Sequence, residues 1–158
     1  MILAIDPGNE YSAYVCYTPK EDLTKFGKIP NKEMLEIVKD TAYNTLVIEM
    51  IASQGMPVGK TVFETCVWIG RFIQAWGAET YTLITRNEVK MNICGSSRAN
   101  DSTIRQALID RLGEPGVKKK QGPTYGIKAD VWQALALAVT YGDVYVTTRE
   151  EQYNVSKP

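Results

Sequence analysis

The chain has 158 residues, 44% of them hydrophobic, with 18 basic and 18 acidic side chains and no histidine. That is enough apolar material for one domain to bury a core without disulfides or structural metal, which excludes the small stapled scaffolds. Cys16, Cys66 and Cys94 are scattered without paired spacing, and with histidine absent this excludes zinc sites and histidine-based catalysis. Reduced thiols, no charged leader before an apolar stretch and no apolar run long enough for a bilayer predict a soluble, cytoplasmic protein with no membrane partner.

In chain order, Ile2, Leu3 and Ile5 are strand formers while Asp6, Pro7, Gly8 and Asn9 are turn formers. A strand over 1–6 therefore ends on a carboxylate at the rim of a sheet. The pattern resumes at Tyr11–Tyr17 after a turn too short for a parallel crossover, so the two segments predict an antiparallel hairpin. A strand over 24–29 follows, then a helix from Asn31 on which Met34, Leu35, Val38 and Ala42 recur at helical spacing. The β-branched run Thr45-Leu46-Val47-Ile48-Glu49 reads as a central strand, and it too ends in an acid.

Residues 58–76 predict a long helix with Val58, Val62, Cys66, Ile69, Ile73 and Trp76 along one side, and Phe63, Val67 and Trp68 on others. A helix apolar on more than one face is either wholly buried within its domain or packed on the sheet and against a second subunit. The pattern leaves both open. A strand over 80–84 comes next, then short helices over 86–93 and 101–112, the latter capped by Asp101 or Ser102 and closed by Gly113. EPGVKKKQGPTYG reads as a loop. A final helix starts near Ala129, and a polar tail runs from Thr147, which divides the chain into one domain over 1–146 and a tail over 147–158.

That last helix carries a third acid. Asp130 lies in its first turn, with Gln133 at i+3 on the same side of an otherwise apolar helix. Singly, each acid passes for a turn or a helix-dipole residue. Together, two at strand ends and one at a helix start, with no cation nearby in sequence, they are the kind of set a divalent metal satisfies. The charge is also uneven: residues 1–85 carry seven basic and ten acidic side chains, 86–128 nine and four, 129–158 two and four. A basic middle between acidic flanks suits a protein that holds metal and meets phosphate.

The segments LAIDPG, LVIEM, ITRNEVKMNICG, DSTIRQALIDRLG and KADVWQALALAV, in that order and at these separations, resemble the RuvC-type crossover junction endonucleases, phage-type members most closely. The resemblance covers nearly the whole chain. It implies a ribonuclease H-like α/β fold, a mixed five-stranded sheet with helices on both faces. It also implies a metal-dependent endodeoxyribonuclease that resolves Holliday junctions and related branched DNA, leaving 5′-phosphate and 3′-hydroxyl ends. Asp6, Glu49 and Asp130 match three of the family's metal-binding acids. Gln133 stands where the family commonly has a further aspartate, and an amide oxygen can still hold a metal without supplying charge. Lys90 matches a family lysine placed near the scissile phosphate. A later family lysine falls on Asp101, with Arg98 the nearest replacement.

Phosphodiester hydrolysis needs an activated water, an offset for phosphate charge and a stabilised leaving oxygen, which two ions roughly 3.5–4 Å apart can supply. Hard oxygen ligands select Mg²⁺ or Mn²⁺, so the expectation is two such ions held by Asp6, Glu49, Asp130 and Gln133, with Lys90 stabilising developing charge. A four-way junction has approximate twofold symmetry, which a homodimer would match. Lys60, Arg71, Arg98, Lys118, Lys119, Lys120 and Lys128 are the cations available to grip phosphate, and Ile51 or Met56 are candidates to wedge the junction. Two further readings are an actin- or kinase-like phosphate-binding domain, which would need a second duplicated domain, and a branched-DNA-binding protein of the same fold that has lost cleavage.

Overall fold

In the computed structural model, which describes residues 1–18, 23–40, 42–53, 55, 57–77 and 80–146, the first strand is buried on both of its faces. Strand β1 (Ile2–Asp6) pairs antiparallel with β2 (Tyr11–Tyr17), and β2 with β3 (Leu23–Pro30). On its other edge β1 runs parallel to β4 (Thr45–Met50), which runs parallel to β5 (Thr82–Thr85). The sheet order is β3-β2-β1-β4-β5, the mixed five-stranded sheet expected from the sequence. Both central strands read as continuous apolar runs because each lies under helices on two sides.

Side-chain alternation separates two cores. Ile2, Ala4, Val15 and Val47 face a layer made by α3 (Arg86–Cys94), α4 (Asp101–Leu112) and α5 (Val131–Tyr141). Leu3, Ile5, Cys16, Leu46 and Ile48 face the opposite layer, where α1 (Asn31–Val38) brings Met34 and Val38 and α2 (Lys60–Trp76) brings Ile69 and Phe72. Every residue of α5 is buried, which is why it is apolar all round. No described helix is long and apolar enough to cross a membrane.

Several local expectations change. Helix α1 ends at Val38, so Ala42 lies beyond it, and α2 begins at Lys60, not at Val58. The α4 cap is Asn100, in a reciprocal capping box with Thr103, because Asp101 and Ser102 are already inside the helix. The lysine-rich loop contains a small hairpin, β6 (Gly116–Val117) with β7 (Lys120–Gln121). Gly122 allows it: a Cβ there would sit 1.9 Å from the Glu114 carbonyl oxygen. Helix α5 starts at Val131 and continues into a π-helical turn, Gly142–Val146. The expected tail over 147–158 lies outside the described residues.

The two options left open for α2 are now separated in part. Its buried side is Thr65, Ile69 and Phe72, while Phe63 and Val67 are 61% and 63% exposed, so the helix is not wholly buried by the described chain.

Because Leu135 is fully buried in the middle of α5, Leu135→Ala is expected to remove about 2–5 kcal/mol of stability. Urea unfolding should show a lower midpoint with an unchanged slope.

Candidate active site

The register of the central parallel pair creates the site. Ile5 lies opposite Ile48, so Asp6 and Glu49 are the next residues on neighbouring strands and share the face of Ala4 and Val47, the face covered by α5. Asp130 stands directly before the first residue of α5 and reaches the same rim. Ala129 before it has φ of 45°, the one described non-glycine residue with positive φ, and this kink turns the chain into the helix. The turn after Asp6 is fixed by a buried polar network: Ser12 Oγ donates to Asn31 Oδ1 at 2.6 Å, and Asn31 Nδ2 donates to the Gly8 carbonyl at 2.8 Å. Gly8 is required there, since a Cβ would meet the Tyr11 carbonyl oxygen at 2.4 Å. On the far side of the turn Asn9 donates to Glu64 of α2 at 3.3 Å.

Two of the acids, Asp130 and Glu49, do have cationic partners, but from distant parts of the chain. Asp6 pairs across the sheet with Ala13, and Ala13 with Lys28, so one row crosses β1, β2 and β3. The short Ala13 side chain leaves Lys28 free to reach over the row and bond Asp130, 102 residues away in sequence. Arg86 opens α3, whose start is held by a capping box between Thr85 and Glu88. Its guanidinium donates to Gln133 Oε1 and to Asp101 Oδ1 and stands 3.6 Å from Glu49 Oε2. At that distance the Glu49 contact is an ion pair without a hydrogen bond, and Glu49 Oε2 is a buried oxygen left without a hydrogen-bond partner.

Asp6 has neither an ion pair nor a side-chain hydrogen bond among the described residues. Burial, then the neighbouring Glu49 and Asp130 carboxylates, push its pKa up to about 8 against the opposing pull of Arg86 and Lys28. Burial also raises the Glu49 pKa, while Arg86 and Lys90 draw it down.

Of the other expected residues, Lys90 lies one turn after Arg86 on α3 and acts on Glu49. Lys128 lines a cavity of about 460 Å³ with Asp101, Arg105, Asp130 and Gln133. A second cavity of about 370 Å³, lined by Asp6, Gly8, Tyr11 and Lys28, meets the first at Asp130. Arg98, the expected replacement for the family lysine, is exposed and lines a different cavity with Thr103 and Asp110. Asp101 itself is bonded by Arg86, which joins the first residues of α3 and α4. Lys60 pairs with Glu64 at 3.4 Å, and Arg71 lies 4.0 Å above the Trp68 ring, both on α2. Lys118, Lys119 and Lys120 are exposed on the small hairpin, and Ile51 is 37% exposed. Met56 lies outside the described residues. Sequence reasoning missed Lys28, Arg86 and Arg105; only a β3–β2–β1 register and the α3–α5 packing identify the first two.

Among the described residues no three acidic or cysteine side chains are gathered at metal-ligand spacing. Lys28 and Arg86 hold Asp130 and Glu49 instead. The donor chemistry nonetheless fits one hard divalent cation: the Glu49 and Asp130 carboxylates both act on Asp6, which has no ion pair among the described residues, and Glu49 keeps an unsatisfied buried oxygen. The Gln133 side of the site does not offer a second such set, since its amide oxygen is engaged by Arg86.

The sheet order, the antiparallel hairpin at one side, the parallel strands at the other and helices on both faces define a ribonuclease H-like α/β protein. Within that class the fold is that of RuvC. The chain is similar to the Thermus thermophilus RuvC structure over 93% of its own length and 95% of that chain, at 16% identity and a TM-score of 0.67. It is equally similar to T. thermophilus RuvC in complex with Holliday junction substrate, with coverage of 93% and 94%, 16% identity and a TM-score of 0.66. No protein-family model and no curated protein matches the chain.

The Asp6 shift gives a signed pH dependence for the metal-free protein. The unfolded carboxyl ionises near 3.8, whereas the folded one keeps its proton to about 8. Between those values the folded state binds the extra proton, so stability is expected to fall as pH rises and to level off above about 8. Asp6→Asn should flatten this slope and raise the melting temperature at pH 8, by roughly 2–4 °C for each kcal/mol recovered. Thermal melts at pH 5 and pH 8 with chelator present check it.

Proposed function

We propose that the protein is a metal-dependent, structure-selective endodeoxyribonuclease that resolves Holliday junctions and related branched DNA by paired phosphodiester hydrolysis, leaving 5′-phosphate and 3′-hydroxyl ends. The observation that carries this reading is the rim itself: Asp6, Glu49 and Asp130 come from β1, β4 and the start of α5 to one place, with Asp6 half-buried and without an ion pair or side-chain hydrogen bond among the described residues. Its position on a RuvC fold, one relative of which is described in complex with a Holliday junction substrate, supports branched DNA as the ligand.

In this reading Asp6, Glu49 and Asp130 hold Mg²⁺ or Mn²⁺. A bound ion supplies Lewis acidity, offsetting phosphate charge and making water acidic enough to act near neutral pH. The chain's own residues do the rest. Asp6 would hold the ion as a carboxylate, its proton passing to solvent. Lys90 and Lys128 bring positive charge to the scissile strand, and Lys28 is a further cation at the cleft. Lys60, Arg71, Arg98 and Lys118 to Lys120 contact phosphate farther out, which grips DNA without reading its sequence. Residues 1–146 form the nuclease unit.

Pairing of two cuts implies a homodimer, and α2 is the surface we assign to it. Phe63 and Val67 are exposed on the side of α2 away from the sheet, one turn apart, whereas Ile73 packs inward and contributes little. Phe63→Glu is expected to give monomers by light scattering at micromolar concentration; an unmodified protein that is already monomeric removes the dimer from the reading.

A second reading, a branched-DNA-binding protein with weak or lost cleavage, is favoured by one observation: Arg86 and Lys28 already neutralise part of the acid set. Nicking of a panel of four-way, fork and flap DNAs with Mg²⁺ and Mn²⁺ distinguishes the two. Under the nuclease reading, Asp6→Asn, Glu49→Gln and Asp130→Asn each lower cleavage by roughly 10²–10³-fold or more while branched-DNA binding persists. Metal-independent binding with no nicking in the unmodified protein supports the second reading.

A further inference from the structure

The Gln133 amide oxygen and Glu49 Oε2 already share one cation of the chain. Arg86 donates to the Gln133 amide oxygen, is anchored by Asp101 and stands 3.6 Å from Glu49 Oε2, so its guanidinium is held by residues of β4, α4 and α5. We propose that this guanidinium permanently occupies the place beside Glu49 and Gln133 that a second divalent ion would take, so that the site binds a single ion on Asp6, Glu49 and Asp130. The inference rests on the metallonuclease reading and changes its ion count.

Three observations carry it. First, Arg86 is a fixed group: its helix start is locked by the Thr85–Glu88 capping box, its side chain is only 23% exposed, and its fork of donors bonds Gln133 and Asp101 with Glu49 as an ion pair beside them. A divalent ion brought to the same acceptors would meet a like charge that cannot be removed by deprotonation. Second, the residue at 133 is neutral and buried, at 7% exposure. An amide can accept from a guanidinium there without adding a buried charge, whereas a weak metal ligand would gain little from the same oxygen. Third, the chain already supplies further cations to the rim: Lys28 bonds Asp130, Lys90 acts on Glu49, and Arg105 and Lys128 line the cavity with Asp101 and Asp130, so a second divalent ion would add to positive charge that is already there.

In this arrangement Arg86 is a positioning residue toward Glu49 and Gln133 in the free protein, and a source of fixed positive charge beside the phosphate in the complex. Its contribution does not depend on metal concentration.

The test is a count of bound Mn²⁺ per protomer, from the free-Mn²⁺ signal in electron paramagnetic resonance, on the DNA-free protein and on two variants. One ion is expected in the unmodified protein and one in Gln133→Asp, because the new carboxylate pairs with Arg86. Two are expected in the double variant Arg86→Ala with Gln133→Asp, which vacates the place and supplies charge to it. Two ions in the unmodified protein or in Gln133→Asp overturn the inference, and so does one ion in a folded double variant. Should the double variant fail to fold, as circular dichroism would report, the first two counts decide. Nicking of a four-way junction against Mg²⁺ gives a second readout: a Hill slope of about one is expected, and about two overturns the inference. If no ion binds and no metal-dependent nicking occurs, the metallonuclease reading itself fails and takes this inference with it.

Discussion

Two carboxylates at the ends of adjacent parallel strands cannot move apart, and much of this structure follows from that constraint. The β1–β4 register sets Asp6 beside Glu49 at the spacing of neighbouring strands, about 4.7–4.9 Å between backbones. Two like charges some 4 Å apart near a protein surface repel by on the order of 4 kcal/mol. A domain of ordinary size is stable by only about 5–15 kcal/mol. Asp130, entering from α5, adds a third charge to the same rim. The free protein answers in two ways: Asp6 keeps its proton toward neutral pH, and Lys28 and Arg86 are drawn in from β3 and α3.

The scaffold can hold such a strained rim because the elements beneath it have no freedom to relax. β1 and β4 are buried on both faces, and α5 is buried along its whole length, so Asp130 and Gln133 are positioned by core packing rather than by their own contacts. The Ser12–Asn31–Gly8 network does the same for the turn after Asp6. Side chains fixed in this way keep the carboxylates of the rim oriented, and under the proposed function a bound cation would relieve the repulsion between them. The opposite face of the sheet has a different task. There α2 covers the second core with one side and shows Phe63 and Val67 to solvent with the other.

Arg86 shows how a departure at one position is tied to another. Asp101 and Gln133, read singly, are a missing lysine and a missing carboxylate by comparison with the pattern this sequence resembles. In the folded chain both are partners of one guanidinium. The residues at 101 and 133 are therefore linked in space through the first residue of α3.

The strands, the helix over 101–112 and the three acids were legible in the sequence because their causes are local. β-branched runs end in turn formers at Asp6, a run ends in Glu49, and an apolar helix begins after Asp130. Boundaries that depend on a cap or a close approach were less so: Asn100 displaced Asp101 as the α4 cap, and Gly116 and Gly122 made a hairpin where composition showed only a loop. The partners of the acids were not legible at all. Lys28 reaches Asp130 only because Ala13 stands between it and Asp6 in one row of the sheet, and Arg86 reaches Gln133 only because α3 and α5 share a layer. Sequence by itself determined which chemical groups the chain would place at its turns and helix starts, since those follow from neighbours in the chain. Which charge faces which was decided by tertiary structure alone, because electrostatic pairing depends on distance in space, and strand register and helix packing set those distances.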